Sequence, residues 1–279
     1  VIKKVLTLET RSDIKERERV NNMTNVVSII PNNKTIQTLD QPHSRVSEKY
    51  QLIPTKDIAQ KFFDLGFKVD EYKSVRVRDA SRQGYQKHFV RLSHDTLLRT
   101  SHNDVKLQLL VTNSHDGSSS FKLQLGIFRL VCSNGLVVGT TFETVTIRHT
   151  RKALIEIEPA IEKIVAQVQK LDRYLSAMKT VRLTEKQITE FYNKAIALRW
   201  ENKTVQDVVI SARRPEDDGT DLFRVYNIAQ EHILRGTQTL TTQNRWRNAR
   251  AIRSIDKDIT LNTKLFDIAC EYLDEALVA

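Results

Sequence analysis

A chain of 279 residues, 40% hydrophobic and 28% charged, is long enough to bury one large core or two modest ones, which excludes a mini-protein. No apolar run approaches the roughly 18 to 20 residues of a membrane-spanning helix. The first residues, VIKKVLTLETRSDIKERERV, lack a secretory hydrophobic region, and Cys132 and Cys270 lie far apart, so neither a disulfide framework nor a thiolate zinc site is expected, and a cytoplasmic protein without cofactor is. The net charge of +10, from 44 Lys and Arg against 34 Asp and Glu, favours a polyanionic partner.

Two segments carry that excess. Lys73 to Lys106 holds eight basic residues against three acids, and Arg235 to Lys264 holds seven against two. The rest of the chain is nearly balanced.

Residues 1–44 mix charges with Asn and Thr without a sustained period and read as a flexible or disordered leader, with Met23 a candidate natural start. Residues 45–279 read as a single α+β domain. Pro54-Thr55-Lys56-Asp57 opens a helix with Ile58, Phe62, Phe63 and Leu65 on one face, and Gly66 ends it. From Ser74 the period becomes two: Val75 and Val77 alternate with Arg76 and Arg78, and after a turn at Ser81 to Gly84 the alternation resumes over Tyr85 to Leu92. Leu107, Leu109 and Val111 predict a third strand, Phe121 to Val131 a fourth and Leu136 to Ile147 a fifth. The turn signals His115-Asp116-Gly117-Ser118 and Ser133-Asn134-Gly135 bracket the fourth. Short connections make this sheet, over about 74–148, mostly antiparallel.

A helical part follows over about 151–278. Ile157, Ile161, Ile164, Val168, Leu171, Leu175 and Met178 recur at spacings of four and three, a seam for intramolecular packing or, on the sharper reading, for a coiled-coil homo-oligomer. Further helices are expected over about Thr184 to Trp200, Thr220 to Leu234 and Asp258 to Leu277. Sheet first and helices after is an α+β order.

Few side chains assemble into chemistry. His115-Asp116 invites a metal or acid–base reading, and the Gly-Ser-Ser-Ser after it could offer backbone N–H groups to a phosphate. A polar run between two strands also serves as a plain turn. His88, His94, His102, His149 and His232 build no HExxH, and CxxC pairs, Walker loops and GxSxG are lacking too. Cys132 reads as a buried inert thiol.

The basic residues carry more. On alternating strands Arg76 and Arg78 share one face and Lys87 and Arg91 another; with Arg82 and Tyr85 nearby they would form a basic surface with a stacking ring, against the plain alternative of a solvated sheet face. In TTQNRWRNARAIRSIDKDITLN, Arg245, Arg247, Arg250 and Arg253 surround Trp246. On a helix Trp246, Arg250 and Arg253 would share a face fit for stacking and phosphate contact. A Trp anchored in the core, with arginines pairing to Asp256 and Asp258, is the alternative.

SVRVRDASRQGYQKHFVRL, TNSHDGSSSFKLQLGIFRLVCSNGLVVG, NIAQEHILRG and RNARAIRSIDKDITLNTKLF together resemble the domain of unknown function 932, the phage/plasmid-like family of bacterial mobile elements. The resemblance runs from about Arg45 to Leu273 and takes in Tyr50 and Pro54. Ser254 departs from it, since relatives tend to carry Gly there. The resemblance implies residence on phages, plasmids or integrated elements and supplies no catalytic residues. The order of helix, antiparallel hairpins and long helix also resembles the core layout of single-strand-annealing recombination proteins. The expected function is therefore non-enzymatic binding of nucleic acid, DNA in the first instance, in replication or recombination. A protein-interaction or anti-host factor is the alternative, and a metal-dependent nuclease using His115 and Asp116 a third.

Overall fold

A computed structural model describes residues 39, 41–129, 135–137 and 142–278. Most of the expected leader (residues 1–38 and 40) and Cys132, with the Ser133-Asn134 turn, lie outside the described residues. The elements run α1 (Thr55–Asp64), β1 (Lys68–Ser74), β2 (His88–Ser93), β3 (Val105–Asn113), β4 (Phe121–Arg129), β5 (Gly135–Val137), β6 (Val145–Ile147), α2 (Ala153–Val165), α3 (Val168–Thr180), α4 (Glu185–Ala197), α5 (Leu222–Arg235), β7 (Gln238–Leu240), β8 (Trp246–Asn248) and α6 (Ile255–Val278). The protein is α+β, an antiparallel sheet preceded by a short helix and followed by a mostly helical half.

The chain forms two compact units; the first takes residues up to Arg99, Leu107–Leu125 and Thr144–Ala166. In it, α1 starts behind Pro54, whose φ of −64° suits a helix entry, and buries Thr55, Ile58, Ala59 and Phe62. Phe63 is 40% exposed, because it lies about 100° round the helix from Phe62. Gly66, at φ 86°, turns the chain so that Phe67 N–H reaches the Phe62 carbonyl at 2.9 Å. β1 then pairs antiparallel with β2, and β2 with β3, the outer pair carrying an irregularity between Val69 and Glu71. β2 and β3 are buried almost throughout, as strands covered on both faces are. β6 pairs with Phe121, Lys122 and Leu123 of β4 and carries α2. Phe62, Phe67, Leu92, Leu107, Leu109, Phe121 and Leu123 form the core.

The strand expected over Val75–Arg78 sits earlier. β1 ends at Ser74, opposite His88, and Arg76 and Arg78 lie in the loop that follows. Asp79 ends the ladder: its carboxylate accepts Ser81 N–H at 3.0 Å and Ser81 O–H at 2.7 Å, which winds Ala80–Arg82 into a 3₁₀ turn.

The second unit takes Thr100–Lys106, Gly126–Glu143 and residues from Gln167 onward. Here β5 pairs with Gly126, Ile127 and Phe128 of β4. α5 is its central element, buried from Leu222 to Leu234 apart from Arg224 and packed by α3, α4 and α6. Asp221 caps α5 by accepting Arg224 N–H at 3.0 Å, and binds the Arg182 and Arg224 guanidiniums at 2.8 and 2.6 Å. Thr184 and Gln187 make a reciprocal capping box on α4.

The long seam is cut at Ala166–Gln167 into two helices. Ile157, Ile161 and Ile164 are buried on α2, and Val168, Leu171, Leu175 and Met178 on α3. The seam is thus consumed by packing within the chain. Cys270 is buried as expected.

Candidate nucleic-acid interface

The first basic block separates into engaged and open cations. Arg82 donates Nε–H and Nη2–H to Asp116 Oδ2 at 3.0 and 2.5 Å, and Arg91 sits 3.2 Å from Glu71, its neighbour across the β1–β2 ladder, with its guanidinium 5.4 Å from the Phe89 ring centre. Both are structural cations. Arg76 and Arg78 are exposed on the loop, with Lys87 half-buried at its far end. The expected pair of basic strand faces does not form, because Arg76, Arg78 and Lys87 lie in coil and only Arg91 stands on a strand, β2. Tyr85 lies edge-on to His43, ring centres 5.2 Å apart, and its carbonyl accepts His115 N–H at 2.8 Å.

His115 and Asp116 are buried deeper than a turn between strands requires. Asn113, Ser114 and Asp116 are fully buried and His115 is 2% exposed, while Gly117 makes the reversal at φ 75°. The hydrogen bonds around them settle each tautomer. His88 Nδ1–H can only donate to the Gln86 carbonyl (3.0 Å), so Nε2 accepts the Thr55 hydroxyl proton at 2.6 Å. Thr55 Oγ1 then accepts from Asn113 Nδ2 at 3.0 Å and from His115 Nε2–H at 3.2 Å. His115 Nδ1 is left a buried acceptor with no partner. Burial first, then His88 and His149, push the His115 pKa down to about 3, against the pull of Asp116. Burial likewise lowers His88 and His149.

Burial would raise the Asp116 carboxyl, but its hydrogen bonds from Ser118 and Arg82 outweigh that and hold it below the usual carboxylate range. Its Oδ1 accepts Ser118 N–H at 3.0 Å and its Oδ2 carries Arg82, so neither oxygen waits for a metal. Among the described residues no group of three or more His, Cys, Asp or Glu side chains is placed to hold one. This network fastens the turn to α1 and β2. The sequence showed its residue types but not their convergence, since Thr55, His88 and His115 are separated by dozens of positions.

The second basic block forms a hairpin instead of a helix. Gln238, Thr239 and Leu240 of β7 stand opposite Asn248, Arg247 and Trp246 of β8. Asn244, at φ 55°, turns the chain, and Thr241 N–H meets the Arg245 carbonyl at 2.8 Å. The run from His232 to Ile255 contains no carboxylate. Trp246 is 50% exposed, and Arg245, Arg247, Arg250 and Arg253 are exposed too. Trp246 is therefore no core anchor, and its helical grouping with Arg250 and Arg253 is replaced by alternation along a strand. One face of β8 carries Trp246 and Asn248, the other Arg247.

The hairpin is braced from below. Ala249 N–H bonds the Thr237 carbonyl at 2.7 Å and Ile252 N–H the Leu234 carbonyl at 2.8 Å. The Arg199 guanidinium donates to the Ile233 and Arg250 carbonyls, and Lys203 Nζ to the Leu240 carbonyl. Ser254 lies at the start of α6 and accepts Lys257 N–H at 3.4 Å, a capping role that glycine cannot fill.

Residues 42–266 match the family profile described as domain of unknown function, DUF932. The chain belongs to the DUF932 family. Its DUF932 region takes in α1, the sheet, the His115–Asp116 turn and the whole basic hairpin. Two relatives, the UPF0380 proteins YafZ and YfjQ of Escherichia coli (strain K12), are each 27% identical to it over 234 residues, which is 82% of this chain and 85% of theirs. No solved structure matches this DUF932 chain. Among the described residues no helix is long and apolar enough to cross a membrane.

Proposed function

We propose that this protein binds nucleic acid, single-stranded DNA in the first instance, as a non-enzymatic component of a mobile element's replication or recombination. The observation that carries the reading is the hairpin: a half-exposed Trp246 among four exposed arginines, in a stretch without carboxylates. An exposed indole offers a sequence-tolerant stacking platform, and guanidiniums on a fixed strand supply phosphate contacts. Exposed Arg76 and Arg78 add positive charge on the first unit.

The test is fluorescence anisotropy with a labelled oligothymidylate. Four phosphate contacts give a logarithmic salt slope of about −2.8, a loss of roughly fiftyfold between 50 and 200 mM salt. Trp246→Ala should weaken binding by about 1–3 kcal/mol, the worth of one stacked base, without changing that slope. No binding at 50 mM salt would overturn the proposal.

A second reading rests on the same exposed residues, because Trp and Arg are also the side chains that dominate protein–protein hot spots. A stoichiometric acidic protein partner, bound through Trp246 in the absence of nucleic acid, would establish it. The nuclease reading has little support, since the Asp116 carboxylate is enclosed by Arg82 and Ser118. Magnesium- or manganese-dependent cleavage lost in Asp116→Ala would revive it.

A further inference from the structure

The hairpin is also the open edge of a sheet. Across its ladder Thr241 N–H bonds the Arg245 carbonyl at 2.8 Å and Ala249 N–H the Thr237 carbonyl at 2.7 Å. Antiparallel strands exchange hydrogen bonds at every second pair. The backbone groups of Thr239 and Arg247 therefore face each other, while those of Gln238, Leu240, Trp246 and Asn248 point away from the ladder. On the β7 side the outward groups are engaged: Val209 N–H bonds the Gln238 carbonyl at 3.0 Å, Leu240 N–H bonds the Asp207 carbonyl at 2.7 Å, and Val208 bridges to Thr239. On the β8 side they are not. Among the described residues nothing pairs with the backbone N–H and C=O groups of Trp246 and Asn248, and both residues are exposed. Their donors and acceptors stand in register along that edge, a template that an extended segment completes by adding a strand.

The side chains say which segment fits. Trp246 and Asn248 share one face of the strand, and Arg245 and Arg247 the other. Arg250 and Arg253 follow in coil beyond its end, and all four arginines are exposed. Among the described residues none of the four takes part in an ion pair. A second copy of this chain is a poor occupant, because edge-to-edge pairing would set arginine against arginine, and residues 232–255 hold no carboxylate to relieve the repulsion. A strand that alternates acidic with apolar residues matches both faces at once, with carboxylates beside Arg245 and Arg247 and an apolar side chain against the Trp246 indole.

We propose that the outer edge of β8 is a docking site for an extended acidic segment of another protein, which adds a strand to the hairpin with acidic and apolar residues in alternation. A nucleic-acid backbone has no N–H groups and cannot complete this ladder, so the docking site stands apart from the nucleic-acid reading. Its consequence rests on that reading: a strand lying against Trp246 would displace single-stranded DNA, which makes the acidic partner a regulator of DNA binding.

A fluorescein-labelled octapeptide that alternates glutamate with valine is titrated by anisotropy against the full chain, beside a peptide of the same composition with its glutamates and valines in two blocks. The alternating peptide should bind about tenfold tighter, since only it pairs on both faces. N-methylation of every second residue removes the N–H groups along one side of the peptide; it should cost about tenfold or more in one phase and less than about twofold in the other, because one side alone faces β8. Asn248→Pro deletes an outward N–H and keeps Trp246 and the arginines, a change that edge strands tolerate; it should weaken the peptide about fivefold and leave oligothymidylate affinity within about twofold.

Equal affinity of the alternating and blocked peptides, or equal losses in the two N-methylation phases, overturns the proposal, and both comparisons hold even where Asn248→Pro unfolds the hairpin. Oligothymidylate binding with no binding of the alternating peptide overturns the docking site and leaves the proposed function intact. Peptide binding that depends on the N-methylation phase, with no oligothymidylate binding, overturns the proposed function and leaves the docking site.

Discussion

Acidification should loosen the first unit well before its carboxylates titrate. In the Thr55–His88–His115 network every ring is neutral: His88 Nε2 must accept from Thr55, and His115 Nδ1 is buried without a partner. A proton added to Nδ1 would create a buried cation and a donor with no acceptor. The pKa of His115 is about 3 in the fold and about 6.5 in an unfolded chain. Because the folded value is the depressed one, the unfolded state takes up the proton first, and stability falls as pH drops from about 6.5 toward 3. At pH 5 the cost from this one histidine is about 2 kcal/mol, and His88 and His149, lowered in the same direction, add to it. Asp116 lies nearby with its pKa held below the usual carboxylate range, and its charge pulls the His115 value upward against the larger effect of burial. Urea unfolding followed by far-UV circular dichroism at pH 7, 6 and 5 should show the midpoint falling. His115→Gln should be less stable at pH 7 yet lose less on acidification, by up to about 1.4 kcal/mol per pH unit. A midpoint that does not move between pH 7 and 5, or a variant with an unchanged slope, would refute the neutral network.

Two further substitutions test how the units are held. Arg82→Ala leaves the fully buried Asp116 carboxylate without its cation and should destabilise the protein by about 3–5 kcal/mol, read in the same urea titration; a loss under 1 kcal/mol would mean that Ser118 alone satisfies Asp116. Gly236→Ala sets a Cβ 2.0 Å from the Ala249 carbonyl oxygen at φ 92°, a contact with backbone that cannot rotate away, and should lower the thermal midpoint and weaken strand binding together. Retention of both would show that hairpin and α5 move apart freely.

The sequence disclosed elements whose apolar residues keep one period and hid those fixed by polar side chains. α2 and α3 were legible because Ile157, Ile161, Ile164, Val168, Leu171, Leu175 and Met178 repeat at helical spacing, and all are buried. β3 was legible from Leu107, Leu109 and Val111. β1 was not: KVDEYKS buries only Val69, whereas VRVR after it alternates and yet lies outside the strand, ahead of the turn that Asp79 caps through Ser81. The basic hairpin is not evident from spacing, because Trp246, Arg250 and Arg253 would also share a face on a helix. The signal against it was the Gln243-Asn244 pair, a turn site with Asn244 in the left-handed region. At the candidate site the basic residues cluster in the sequence, but which arginines hold the fold cannot be read without their partners: Arg82 and Arg91 bind Asp116 and Glu71, far away along the chain.

Arg199, Arg213 and Lys203 aim at the backbone carbonyls of Ile233, Arg250, Gly236 and Leu240, so these cations serve as mortar beneath the hairpin. The arginines above them are set on a stiff platform. A stiff platform cannot reshape itself around a poor match, and ligands that fit unequally will differ chiefly in how long they stay, while arriving at similar rates.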